Sequence, residues 1–259
     1  KHTSTQTFRI PKRLIRKLPR YIWSVYFFIC FILIFLVLYP FFVVLLSKPK
    51  WYPQAHKLRR VWGKMLMAVT GLYGKTTKDE ELKLDKTYIF TPNHFSYFDI
   101  ISVNTQMPYF FSFMAKKELS RIPLFGIFFR TLDMPVDRSS NEGSKRAYYL
   151  ANKKLKSGIS LLNFPEGGIG PQVPKMRDFK LGPFKMAIEH GIEVVPVTLP
   201  DNWRRLPCGE WIPAGTPGRM RMHIHRPIPT ENLKPGDELA LAEQVYGIIE
   251  AKFNEMNGL

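Results

Sequence analysis

Ile22 to Leu46 is a run of 25 residues without a charge. As a helix it would be roughly 37 Å long, against a hydrocarbon core of about 30 Å. Few soluble helices are apolar on every face for that length. Trp23 and Tyr26 sit near one end, and Trp51 and Tyr52 lie just past the other, in the manner of interfacial aromatic belts. The run therefore predicts a membrane-embedded helical segment. Its topology is constrained by what surrounds it. Pro40 interrupts it, and both flanks are basic, with seven Lys/Arg in residues 1–20 and Lys48, Lys50, Lys57, Arg59 and Arg60 after it. A single transmembrane crossing of 22–46 cannot place both flanks on the cytoplasmic side. A re-entrant hairpin kinked at Pro40 satisfies both and is the arrangement expected, with the single crossing as its alternative. A signal peptide is not the expected reading, because the run is longer than a typical h-region and no small-residue cleavage site follows it.

Charge divides the chain. Of 38 Lys/Arg, 15 lie in residues 1–78, where there is no Asp or Glu, and the first acidic residue is Asp79. The net charge of +17 thus belongs to the N-terminal third, and residues 79–259 are nearly neutral. A basic segment seeks phosphate, on nucleic acid or on anionic lipid. Here it brackets an apolar run rather than an aromatic stacking platform, so an anionic membrane is the expected partner and nucleic acid is not. Residues 54–70 continue the pattern. Leu58, Val61, Trp62, Met65, Leu66 and Val69 fall at helical spacing, and Lys57, Arg59, Arg60 and Lys64 occupy other faces. This reads as an amphipathic helix at the membrane surface, docked on the following domain or not. The boundary drawn is 1–78 for a membrane-anchoring segment and 79–259 for the domain.

From Thr87 onward strands and helices alternate. Runs at 87–91, 109–114, 159–164, 193–198 and 219–224 read as strands, and 97–106, 118–131, 142–156, 181–190 and 237–256 as helices. That alternation predicts an α/β fold, a mixed and mostly parallel sheet flanked by helices. The Pro- and Gly-rich stretch 200–218 reads as a flap. Two cysteines, Cys30 and Cys208, offer no disulfide framework, and no Cys/His cluster has metal-ligand spacing.

Chemistry is expected where a strand ends. Tyr88-Ile89-Phe90 is an apolar run of β formers, Pro92-Asn93 breaks it, and Ser96 with Asp99 opens a helix. His94 then lies on a loop at the carboxyl end of a strand, where open α/β sheets place their sites. Asp99 can reach back to the imidazole, fixing its tautomer and leaving the other nitrogen as a base, or can simply cap the helix. A second strand, 159–164, ends in Pro165-Glu166-Gly167-Gly168, a turn in which glycines permit close backbone approach to a ligand. Aromatic and aliphatic residues crowd 109–113 and 122–129 and could line an apolar groove or only fill a core.

In order along the chain, Asn93-His94 with Asp99, then Gly126 to Arg130 with Val136-Asp137-Arg138, then Phe164-Pro165-Glu166-Gly167, then Val195-Pro196-Val197 resemble the four signatures of the glycerolipid acyltransferases, in particular the lysophosphatidic acid acyltransferase (1-acylglycerol-3-phosphate O-acyltransferase) family. The resemblance covers roughly residues 87–200. It implies transfer of a fatty acyl group from a thioester, on coenzyme A or acyl carrier protein, to the hydroxyl of a lysophospholipid. It implies no cofactor and no metal, and an active site facing the cytoplasm. His94 would be the general base and Asp99 its orienter. Asn93, Glu166 and Gly167 would serve substrate binding, and Lys116 and Arg138 would hold phosphate. The chain departs from the family at Ile169, where the third signature usually carries a phosphate-binding arginine. Isoleucine cannot make that contact. Either Arg177, Lys175 or Lys180 replaces it, or the acceptor is a different single-chain lipid, such as an N-acyl amino acid lipid. A non-catalytic lipid-binding relative is the remaining alternative, and the intact His94/Asp99 pair argues against it.

Overall fold

The computed structural model describes residues 12–137, 140–209 and 212–259. Helix α1 runs from Lys12 to Leu46 without interruption, with Pro19 and Pro40 inside it. The expected reversal at Pro40 does not occur. A proline in a helix interior costs about 3 kcal/mol, but Phe35 and Phe42 lie on either side of Pro40 and both pack inward. Their ring centroids are 5.0 Å from Trp62 and 4.9 Å from Phe128, respectively. Burying two such side chains yields about 1.5–3 kcal/mol each, enough to hold the helix continuous. The chain instead turns at Ser47–Trp51, where Pro49 opens a short 3-10 turn. Helix α2 (Tyr52–Val69) then returns antiparallel along α1. Trp23 Nε1 donates to Thr70 O at 3.0 Å and Tyr26 Oη to Val69 O at 2.8 Å, while Phe31 meets Trp62 farther along.

The amphipathic stripe of α2 is divided. Ala55, Arg59, Trp62 and Leu66 face the protein, whereas Val61, Met65 and Val69 remain exposed. Arg59, which the sequence places on a solvated basic face, is only 5% exposed. Its guanidinium pairs with Asp133 at 2.6 Å, and the Asp133 carboxylate also accepts from the Phe113 N–H at 3.0 Å.

The remaining elements are β1 (Leu72–Lys78), β2 (Ile89–Pro92), α3 (Phe98–Gln106), β3 (Phe111–Lys116), α4 (Ile127–Arg130), β4 (Met134–Val136), α5 (Asn141–Lys156), β5 (Ser160–Leu162), α6 (Gly182–His190), β6 (Val194–Thr198), α7 (Asn202–Arg205), β7 (Gly218–Ile224) and α8 (Glu238–Asn257). The strands form one seven-stranded sheet in the order β1-β7-β6-β2-β5-β3-β4. Every pairing is parallel except β6 with β7. The sheet is mixed and mostly parallel, as the alternation predicts.

The inner strands are buried on both faces, which is why they read as continuous apolar runs. Ile89, Leu161 and Val194 face a core shared with α5, α6 and α8, and Phe90, Leu162 and Val195 face the other side toward α3. Residues 72–78, counted with the anchoring segment in the sequence, form the edge strand β1 against β7. Their pattern is largely exposed and polar, as suits an edge. The helix expected over 118–131 is split at Pro123 into a 3-10 turn (Lys117–Arg121) and α4, because the residue before a proline is kept out of the α region. The described part of 200–218 is no loose flap: Ser24 Oγ donates to Pro213 O, and Asp201 pairs with Arg221.

Candidate active site

The loop after β2 is pinned before it carries any chemistry. The Asn93 side chain donates to Leu199 O at 3.1 Å and accepts from Leu199 N at 2.7 Å. Asn93 is fully buried and its amide is spent on the end of β6, so it holds the loop rather than a substrate. Ser96 Oγ donates to Leu206 O and accepts from Phe98 N, tying the other end of the loop to α7 and α3.

Asp99, fully buried in the first turn of α3, folds back over this loop. Its Oδ2 accepts from Phe95 N at 2.7 Å, Ser96 N at 2.8 Å and His94 Nδ1 at 2.9 Å. Its Oδ1 accepts from Asn202 Nδ2 at 2.9 Å. A carboxylate facing Nδ1 places the ring proton there and leaves Nε2 with a lone pair. The ring also stacks on Phe164, centroids 4.0 Å apart and planes 20° apart, so its orientation is set from two sides.

Glu166 is fully buried as well. Its Oε1 accepts from the backbone N–H of His94 at 2.6 Å and its Oε2 from that of Arg177 at 3.0 Å. Burial pushes its carboxyl up to about 7, against the lowering effect of those two N–H donors, and the nearby Asp99 carboxylate adds to the rise. Expected to bind substrate, Glu166 instead has both oxygens on backbone and acts as a brace between the two loops. Gly167 takes φ +73°, a conformation glycine adopts without strain. Its N–H is occupied by Phe164 O at 3.1 Å.

His94 lines a cavity of about 460 Å³, within the range of small-molecule sites. Its walls are mainly apolar: Tyr97, Ile100, Phe113, Leu119, Phe125, Phe128, Phe129 and Phe164. The Arg59–Asp133 pair and Trp62 also reach it, so the N-terminal helical hairpin contributes to the site. Of the crowded aromatic runs, Phe113, Phe125, Phe128 and Phe129 line the cavity, while Tyr109 and Phe111 belong to the core. Lys116, at the end of β3, lines the open side; its side chain is 68% exposed, with the Glu118 carboxylate 3.8 Å from its ammonium. Gly167, Gly168 and Ile169 complete the wall. Arg138 lies outside the described residues. The Arg177 side chain does not enter this cavity; it lines a separate recess with Lys175 and Lys180.

Residues 75–200 match the family model for acyltransferases. Just under half of the chain is thus similar to the acyltransferases. Among curated proteins, a 1-acyl-sn-glycerol-3-phosphate acyltransferase of Chlamydomonas reinhardtii is 32% identical over 162 residues, 60% of this chain and 46% of that protein. A chloroplastic one of Arabidopsis thaliana is 30% identical over 146 residues, 56% of this chain and 40% of that protein. The alpha form of Ovis aries is 26% identical over 204 residues, 74% of this chain and 68% of that protein. The matches thus span less than half of the algal and plant relatives. The crystal structure of the 1-acyl-sn-glycerophosphate (LPA) acyltransferase PlsC from Thermotoga maritima superposes with a TM-score of 0.77 at 25% identity, covering 95% of this chain and 98% of that one. Such coverage of the chain extends the likeness beyond residues 75–200 to the N-terminal helices.

Three features of the site escape sequence reading. Asn202 is separated from Asp99 by 103 residues and sits in a stretch that resembles a loop. Arg59 and Asp133 look like surface charges until the packing of α2 buries them. The stacking of Phe164 on His94 joins two motifs whose residues are visible in the sequence but whose contact is not.

Proposed function

We propose that the chain transfers a fatty acyl group from an acyl thioester to the free hydroxyl of a lysophospholipid, lysophosphatidic acid in the first place, giving phosphatidic acid. The observation that carries this is the His94–Asp99 pair, 2.9 Å apart, on the wall of an apolar cavity. His94 Nε2 takes the proton of the acceptor hydroxyl as its oxygen attacks the thioester carbonyl. The tetrahedral adduct collapses, the C–S bond breaks, and the thiol leaves with the proton that the imidazolium returns. Buried Asp99 stabilises that imidazolium. The apolar walls take the acyl chain. The co-substrate is acyl-CoA or acyl carrier protein, and the chemistry as written needs no cofactor. Lys116 on the open side meets the acceptor phosphate, with Arg138 as its expected companion.

Ile169 favours a second reading. It stands in the cavity wall at the position of the expected phosphate-binding arginine. An O-acylation of a phosphate-free single-chain lipid, such as an N-acyl amino acid lipid, fits that wall. The test is a panel of acceptors given to the purified full chain with both thioester donors. Preference for lysophosphatidic acid supports the first reading, and preference for the phosphate-free lipid replaces it with the second. Lipid binding without transfer would leave only a non-catalytic relative.

The same proposal places the protein on an anionic membrane. By length and composition, Lys17–Leu46 is the one helix among the described residues able to cross a bilayer. Yet α1 packs on the domain along most of that length, from Ser24 on Pro213, through Phe27 on Phe98, to Phe42 on Phe128. A bilayer cannot surround a helix so covered. The helix therefore lies along the membrane, with its uncovered apolar face in the lipid and the domain on the cytoplasmic side.

A further inference from the structure

On the far edge of the sheet, away from the cavity, lies a group that no local spacing reveals. In a strand, alternate residues share a face, so His223 and His225 project together where β7 ends. The parallel register sets Lys78 opposite Ile224, which brings Asp79 beside them. His223 Nε2 is 2.9 Å from Asp79 Oδ1, and His225 Nδ1 is 3.7 Å from Asp79 Oδ2. The donor atoms of all three residues lie within 4.8 Å of one another. The sequence carries no cluster with metal-ligand spacing because Asp79 and His223 are 144 residues apart; only the β1–β7 pairing unites them.

We infer that Asp79, His223 and His225 bind a divalent transition cation of the zinc class, which clamps the edge strand β1 to β7. Zinc bonds of about 2.0–2.1 Å in a tetrahedron set neighbouring ligand atoms roughly 3.3 Å apart, and the 2.9 Å and 3.7 Å separations, one to each Asp79 oxygen, lie within a few tenths of an ångström of that spacing. Two imidazoles and one carboxylate select zinc, cobalt or nickel over magnesium or calcium, which prefer all-oxygen sites. The surroundings are those of ligating histidines. His223 Nδ1 is 2.8 Å from Thr77 Oγ1, and His225 Nε2 is 2.8 Å from Thr198 Oγ1. Each hydroxyl can accept the ring proton, leaving the opposite nitrogen as a bare lone pair aimed at Asp79. The carboxylate is in turn braced by the N–H of Arg226 at 3.1 Å, while the Arg226 guanidinium turns away to Glu80. The Asp79 side chain is 41% exposed, so solvent can supply the fourth ligand.

The experiment uses the full chain in detergent, stripped with a chelator and titrated with zinc by calorimetry and with cobalt by visible absorption. One saturable zinc per chain is expected, with a higher melting temperature when loaded and the intense d–d bands of tetrahedral cobalt. Asp79→Asn, His223→Asn and His225→Asn should each weaken binding at least tenfold. Thr198→Val, which removes only the brace, should weaken it about tenfold. Asp79 is partly exposed and its asparagine variant keeps the size of the side chain, so that protein folds even where an imidazole variant does not. Absence of saturable zinc binding by the wild type overturns the inference. So does undiminished binding by Asp79→Asn, whatever the histidine variants do.

Discussion

At the scale of single residues, the site is a set of polar atoms with few alternatives. Asp99 has four donors on two oxygens, and Asn202 Oδ1 has no partner among the described residues. Asp99→Asn is therefore well tolerated by the fold: the Asn202 amide can flip and accept from the new NH2. What is lost is the charge that stabilises the imidazolium. We expect Asp99→Asn to lower kcat by roughly 10²–10⁴-fold with little change in KM, and His94→Ala to abolish turnover, as steady-state acyl transfer would show. Near-normal turnover in a folded His94→Ala protein would remove the mechanism. Acceptor recognition makes a separate prediction. Losing one charge-assisted contact costs about 1.5–3 kcal/mol, or roughly ten- to a hundredfold in kcat/KM. Lys116→Ala should cost that for lysophosphatidic acid and little for a phosphate-free acceptor. Arg177→Ala should do less, because its side chain lines a different recess.

At the scale of elements, the helical hairpin has two sides with different tasks, the cavity and, on the proposed placement, the membrane. One side of the hairpin supplies Trp62 and Arg59, both on α2, to the cavity wall. The opposite side leaves Leu33, Val37, Phe41 and Val61 exposed, Val37 at 69%. An aspartate in the bilayer costs about 2.5–3.5 kcal/mol. Leu33→Asp or Val37→Asp should thus reduce partitioning into anionic vesicles by roughly a hundredfold without unfolding the domain. Leu239→Asp on α8, equally exposed in the wild type, is the control and should leave co-sedimentation unchanged. Equal loss from α8 would show that the hairpin is not the anchor. Attraction of the basic residues to the lipid surface should also weaken with salt.

For the whole molecule, the buried brace Glu166 links proton binding to stability. Its folded value of about 7 lies above the ordinary 4.5. Between those pH values the folded chain binds more protons at this site than the unfolded chain. Stability from this group is therefore greatest at low pH and falls as pH rises from about 4.5 to about 7, by roughly 3 kcal/mol in total. Glu166→Gln should remove that slope. It should also lower stability at the acid end by about 1–3 kcal/mol, because an amide NH2 must face either the His94 or the Arg177 N–H. Denaturant unfolding of both proteins across that range measures it, and parallel slopes would contradict the linkage.

The sequence by itself determined the elements whose environment is uniform along the chain. Strands buried on both faces, such as β2 and β6, are apolar at every position but one threonine each, and the loop after β2 bears His94 between a strand and a helix start, so both were legible. The α/β alternation and the apolar helix were legible for the same reason. Only the tertiary structure decided what depends on a partner distant in sequence. The edge strand β1 is polar and pairs with residues far along the chain, so nothing local marks it as a strand. Pro40 signals a break that the packing of Phe35 and Phe42 overrides. Arg59 looks solvated until Asp133 meets it, and Glu166 resembles a substrate ligand until its oxygens are seen to hold two backbone N–H groups. Local pattern records how each residue meets an average environment, whereas the pairing of one buried polar atom with another is fixed only when the chain closes around both.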